Sequence, residues 1–326
     1  MSLLGIDLGG TKLAVASFTE DGKIISKEKI ALEGLQGDQI GSLITNRISA
    51  FIGNSATEGD PVRAIGICVP GISYQQKGTV WAPNIPGWSD YPLLQKVKTV
   101  TSAIPVTIDS DRACYILGEL WQGNAKGSKD AIFLAVGTGI GAGILVNGTI
   151  LRGSHDIAGA IGWMALSTPY KSLYENCGCF EYHCSGEGIA NIARAFLQDA
   201  KDYEGKLKNK NPQELTSYDV FAAFETKDIL AAAVIQQCIV FWGMAVANLI
   251  SLFNPEKIIL GGGVFGPAIP LIPEIKKEAM KWAQPISVHQ YSLEASSLGG
   301  DAGIYGAGLL ALKNINPSGH SIIQYV

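Results

Sequence analysis

One pattern occurs twice in this chain. A β-prone run enters a glycine–threonine turn, and a second strand follows. An Asp-Gly or Asn-Gly pair then reverses the chain into a third strand. The first copy takes residues 3–8, the turn Gly9-Gly10-Thr11, residues 12–19, Asp21-Gly22 and residues 23–30. The second takes residues 131–136, the turn Gly137-Thr138-Gly139-Ile140-Gly141, residues 142–146, Asn147-Gly148 and residues 149–151. Asp-Gly and Asn-Gly between such runs predict two-residue hairpins. A repeat decides architecture before any single element does. Copies about 130 residues apart predict two related α/β domains, each offering a glycine turn to one shared ligand. The length of 326 residues allows this at ~150 residues per domain. Glycine, at 39 residues, follows no Gly-X-Y period, so it serves turns and close backbone approaches.

Between and after the copies, apolar spacing predicts helices over 36–51, 110–123, 273–282 and 301–312, and a buried strand over 62–69. Residues 201–215 are polar and lysine-rich, and predict an exposed loop. Residues 229–253 are apolar enough to cross a membrane. Gln236, Gln237 and Asn248 interrupt them, and small residues dot one side, so a helix buried in a large domain is expected. No basic region precedes Asp7, which argues against a signal peptide and for a cytoplasmic protein with no membrane partner. Charged residues make up 17%, hydrophobic residues 47%, and the net charge is −4. That excludes a disordered chain, and without a basic run it argues against nucleic acid as partner. Cys68, Cys114 and Cys238 stand singly in apolar stretches, as buried thiols do.

The glycine turns carry the chemistry. Gly9-Gly10-Thr11 precedes a strand, which excludes a dinucleotide fingerprint, and no Walker A loop occurs. Glycines between strands still let backbone N–H groups approach phosphate oxygens. Thr11 adds a hydroxyl, Lys12 a cation, and Asp7 a carboxylate able to hold Mg²⁺ through water. Gly137, Thr138 and Gly139 offer the same chemistry. Gly261, Gly262 and Gly263, at a strand end, leave room for an adenine or ribose against the backbone. Each turn alone is equally a tight hairpin or cap; their combination with Asp7 and two threonines points to a nucleotide.

These motifs resemble those of the actin-like sugar kinases, specifically the ROK family. Asp7-Leu-Gly-Gly-Thr-Lys12 and Gly137-Thr-Gly-Ile-Gly141 are similar to the family's two phosphate motifs. Asn254-Pro255-Glu256 with Gly261-Gly262-Gly263 is similar to its adenosine segment, and Gly299-Gly300-Asp301-Ala302 to its closing helix. Residues 82–88 resemble a sugar-side loop. The resemblance implies two actin-like (ribonuclease H-like) α/β domains around an interdomain cleft. Residues 1–112 with 305–326 would form one and 113–304 the other. It implies phosphorylation of a hexose or hexose derivative by ATP and Mg²⁺, in a homodimer. Asp109-Ser110-Asp111 falls where the family has its catalytic segment, so Asp111 takes the general-base role, worth ~10²–10⁴-fold. As a residue ahead of an apolar helical run, Asp111 is also a candidate helix N-cap.

The pattern departs from the family on the sugar side. Ser110 replaces Asn. Ala160 and Trp163 replace the Glu and His of Gly-Glu-Ile-Gly-His, while Glu181 and Asn84 remain as polar contacts. A pocket so altered fits glucose poorly and suits a substituted, deoxy or differently configured sugar, unless Ala160 and Trp163 are core residues. Trp163 also removes the His that many members give to a structural zinc, so no zinc is expected. In the other reading Cys177, Cys179 and Cys184 bind it with His183 or His155. Two further functions compete with the kinase. One is a silent sugar-binding relative. The other is a sugar-responsive repressor, which needs a DNA-binding domain ahead of Asp7.

Overall fold

The computed structural model describes residues 2–57, 59–200 and 202–315. Of these, the residues within Met1–Lys129, Gly143–Gly159 and Ser296–Val326 form one unit. Those within Asp130–Ala142 and Ala160–Ala295 form a second.

The first unit opens with strands β1 (Ser2–Leu8), β2 (Lys12–Phe18) and β3 (Ile24–Ala31), then helix α1 (Asp38–Thr57) and β4 (Val62–Val69). A small hairpin of β5 (Ile72–Tyr74) and β6 (Thr79–Trp81) follows, then α2 (Leu93–Thr101), β7 (Val106–Ser110) and α3 (Asp111–Gln122). Its sheet has the order β3-β2-β1-β4-β7. The first three strands are antiparallel, and β4 and β7 run parallel to β1. β1, β2 and β4 are almost wholly buried, whereas the edge strand β3 carries Lys27, Glu28 and Lys29. Charge on an edge discourages pairing with another chain.

The second copy forms β8 (Ala131–Val136), β9 (Ile140–Val146) and β10 (Thr149–Ile150). Helices α4 (Cys179–Cys184), α5 (Gly186–Asp199), α6 (Ser217–Glu225) and α7 (Ile229–Phe253) come next, then β11 (Lys257–Gly261), α8 (Ile272–Ala279) and β12 (Ser292–Ala295). The second sheet has the order β10-β9-β8-β11-β12. Position for position this matches the first sheet, with β11 parallel to both β8 and β12. The repeat expected from the turns is therefore present as topology.

The last described helix, α9 (Ala302–Ile315), returns to the first unit and packs on β1, β4, β7 and α3. Its small residues permit this. A Cβ on Gly306 would lie 1.9 Å from the carbonyl oxygen of Cys114, and one on Gly66 1.9 Å from that of Ala307. This packing places α3 and residues 296–304 in the first unit, whereas the sequence reading divided the chain at 112 and 304. Residues 316–326 of the expected N-terminal domain lie outside the described residues.

Two local expectations change. Asn147 and Gly148 both have positive φ, as a two-residue hairpin requires. At the first copy only Gly22 does, and Thr19 and Lys23 close a three-residue loop. Glu20 and Asp21 keep ordinary φ, so the reversal is a turn followed by one left-handed glycine. The lysine-rich segment, whose Lys201 lies outside the described residues, buries Tyr203, Leu207 and Leu215. Tyr203 donates its hydroxyl to Asp228 at 2.5 Å, which anchors the segment. Helix α7 is the one described helix long and apolar enough to cross a membrane. Of its most apolar window 61% is buried inside the protein.

Candidate active site

In the first unit the turn after β1 is closed by Gly9 N–H donating to the Lys12 carbonyl at 2.9 Å. Gly10, Thr11 and Lys12 are exposed. Exposed Asn84 lies beside the turn: a Cβ on Gly10 would sit 3.1 Å from its Nδ2. Asp7, the residue before last on β1, has its carboxylate against the first turn of α9. A Cβ on Gly303 would lie 2.6 Å from Asp7 Oδ2. A helix N-terminus favours negative charge there. Burial pushes the Asp7 carboxyl above its ordinary range, and a hydrogen bond from the Cys68 thiol partly offsets this.

Strand β7 delivers the candidate base. It pairs with β4 through Ser110, and α3 begins at the next residue. The helix cap is Ser110, whose Oγ accepts from Ala113 N–H at 3.4 Å. The N-cap alternative for Asp111 is thereby corrected: an Oγ one residue earlier does that work. Asp111 stands at the first helical position, accepting its neighbour Arg112 N–H at 2.7 Å. Burial raises its pKa to about 6; the Arg112 charge and this hydrogen bond pull it down, and the Asp7 charge pushes it up. Ser110 is buried, and its Oγ accepts from the helix it caps.

The second unit repeats the turn chemistry. Gly137 N–H donates to the Gly139 carbonyl at 2.9 Å, and Thr138 is exposed. Gly137 has an ordinary φ, and a Cβ there would meet nothing within 4 Å. Its smallness is not required by its own fold. Gly262 differs: φ is +90°, and a Cβ would lie 2.4 Å from the Val136 carbonyl oxygen. Gly261 is buried against the Phe133 ring, and Gly263 is exposed with only the Tyr218 hydroxyl near it. Glu181 on α4 accepts Ile140 N–H at 2.6 Å, which ties it to the second turn. Burial pushes its carboxyl up and that hydrogen bond pulls it down. Trp163 is 57% exposed, so it is not the core residue of the alternative reading. Ala160, which begins this unit's second chain segment, is half-buried.

Cys179 and Cys184 are buried and Cys177 is half-buried. His183 does not fit a four-ligand zinc site with them. Its Nε2 is bonded to the Tyr174 hydroxyl at 2.9 Å and its Nδ1 to the Gln237 amide at 3.0 Å. Its ring stacks on Phe241 at 4.3 Å, and His155 is exposed. Sequence reasoning met Asp109 only as part of the segment ending at Asp111 and missed Arg152 altogether. Their ion pair joins residues 43 positions apart, a separation that no local spacing reveals.

The sequence profile of the ROK family matches residues 3–314. A glucokinase from Halalkalibacterium halodurans is 34% identical over 322 residues, 96% of each chain. The crystal structure of a ROK family glucokinase from Streptomyces griseus, in complex with glucose and AMPPNP, is 28% identical. It matches 95% of this chain and 99% of its own, with a TM-score of 0.75. A ROK family transcriptional regulator, described as a homologue of the E. coli MLC protein, is 26% identical. It covers 96% of this chain and 78% of its own, with a TM-score of 0.82.

Proposed function

This chain belongs to the ROK family, and on that premise we propose that it transfers the γ-phosphoryl group of ATP to a hydroxyl of a hexose or hexose derivative. The glucokinase relative, 34% identical over 96% of each chain, supports an ATP-dependent sugar kinase. The matching order of the two sheets supports an actin-like pair of α/β units.

The observation that carries the mechanism is the state of Asp111. Its helix is already capped by Ser110, and burial holds its carboxyl near 6. A base titrating close to neutrality combines ionisation with useful basicity. Asp111 accepts the proton of the acceptor hydroxyl as that oxygen forms its bond to the γ-phosphorus and the bond to the ADP oxygen breaks. Arg112 N–H holds one carboxylate oxygen, which orients the other.

Phosphoryl transfer otherwise demands positioning and charge neutralisation. The backbone N–H groups of Gly10 and Gly139, the hydroxyls of Thr11 and Thr138, and the Lys12 ammonium supply donors for the phosphates, while the Gly9 and Gly137 N–H groups close the two turns. Gly262 and Gly263 leave backbone open beside the Tyr218 hydroxyl for the nucleoside. Mg²⁺ takes one or two carboxylates together with substrate phosphates rather than a dedicated cage. Asp7 fits that demand: it is a single enclosed carboxylate whose ionised form a cation would favour. When bound, Mg²⁺ neutralises the β- and γ-phosphate oxygens.

Asn84, Asp111 and Glu181 are the polar contacts we assign to the sugar. Ala160 and exposed Trp163 replace hydrogen-bonding groups with open space and a flat apolar face, which favours a sugar other than unmodified glucose. The test is ADP release with Mg-ATP across glucose, mannose, fructose, allose, their N-acetylamino relatives and cyclic polyols. Asp111→Asn should lose about 10²–10⁴-fold in turnover with ATP binding kept. An Asp111→Asn variant with wild-type turnover would remove Asp111 as base. Silence across the panel with ATP bound would leave a sugar-binding relative.

A further inference from the structure

We propose that Arg152 is a positioning residue for the base: through Asp109 it clamps the β7–α3 junction that carries Asp111 to the segment following β10. The proposal rests on the kinase reading above and deepens it.

Asp109 sits two residues before Asp111 and is only 1% exposed. Arg152 approaches it with both arms of its guanidinium, Nη1 to Oδ1 at 2.7 Å and Nη2 to Oδ2 at 2.5 Å. Parallel N–H···O bonds of this kind fix orientation as well as distance. The same Oδ1 accepts Ser110 N–H at 2.8 Å, so the fork grips the carboxylate that organises the helix cap. From Asp109 the chain therefore passes through a bonded amide, a capping hydroxyl and then the base itself.

The other end of the clamp is equally held. The Arg152 carbonyl accepts Ala158 N–H at 3.0 Å, which closes the segment on itself. Asp156 accepts the Gln75 amide N–H at 3.1 Å. Arg112, the neighbour of the base, reaches the Ile157 carbonyl at 3.4 Å. Two guanidinium groups thus fasten residues 152–158 to the start of α3. Only the Arg152 link is charge-paired on a buried partner. The loss of one such partner leaves an uncompensated buried charge, so a bland substitution is a poor probe.

Arg152→Lys keeps the charge and removes the fork. Its kcat should fall about 10–100-fold, the cost of a small misplacement of a reacting group, while KM for ATP stays unchanged. Hydrogen exchange of the folded protein should quicken together in peptides covering 109–116 and 151–159. The double variant Asp109→Asn/Arg152→Gln removes both charges. It should recover thermal stability relative to Arg152→Gln without recovering kcat. A purely structural pair would recover both, and that result overturns the proposal. So does an Arg152→Lys enzyme with wild-type kcat, or exchange that quickens in 151–159 alone. If the wild type turns over no sugar, the kinase reading falls, and the paired exchange still decides whether the clamp exists.

Discussion

As the base proposed above, Asp111 would accept a proton only when ionised, and burial raises its carboxyl to about 6. Below that value the proposed base would be protonated and inert; above it, it would be ready. The pH profile of kcat/KM should therefore carry an acid limb with its midpoint near 6, falling about tenfold per pH unit below it. An acid limb near 4, where an ordinary aspartate titrates, would show that the burial around Asp111 does not govern catalysis. The aspartate was singled out by the resemblance of Asp109-Ser110-Asp111 to the family's catalytic segment. The bonds of its neighbours were not legible. Ser110, which stands where the family has a sugar-side Asn, also accepts the Ala113 N–H as the helix cap, a role its position alone did not announce. The pairing of Asp109 gave no signal because its partner arrives from 43 residues away.

Among the elements, the glycine turns separate into two physical kinds. Gly262 is required by its own fold, through its φ of +90° and the Val136 carbonyl. Gly137 faces no such obstruction. Gly262→Ala should destabilise the protein by about 1–3 kcal/mol, as strained backbone positions do. Gly137→Ala should leave the melting temperature unchanged and weaken ATP binding. Calorimetric melting and nucleotide titration of the two variants check this pair. Equal nucleotide affinity for Gly137→Ala and wild type would mean that the second turn does not approach phosphate. The strands around these turns were legible because alternation and Asn-Gly act within a few residues. The hairpin of β5 and β6 was not, since strands of three residues carry too little pattern. Nor was the anchoring of the lysine-rich segment through Tyr203, which depends on Asp228, the cap residue ahead of α7.

Across the whole molecule, the repeat of turns became a repeat of sheet order. The partition of the chain was less legible. The chain changes unit after residues 129, 142, 159 and 295, and the packing of α3 on α9 joins residues nearly two hundred positions apart. That packing has almost no slack. Gly306→Val would drive a side chain into the Cys114 carbonyl, which a bare Cβ already meets at 1.9 Å. It should cost at least ~1–3 kcal/mol of stability and lower kcat, since α3 begins at Asp111. A variant that melts like the wild type would show that the two helices part easily.

The return of α9 also sets an order of events in the cell. The first sheet is complete once residue 110 has left the ribosome, yet the helix that covers β1, β4 and β7 starts only at residue 302. At synthesis rates of about 5–20 residues per second, an apolar sheet face waits roughly 10–40 s for its cover. During biosynthesis this protein therefore presents chaperones with a client whose earliest-made half is among the last to mature.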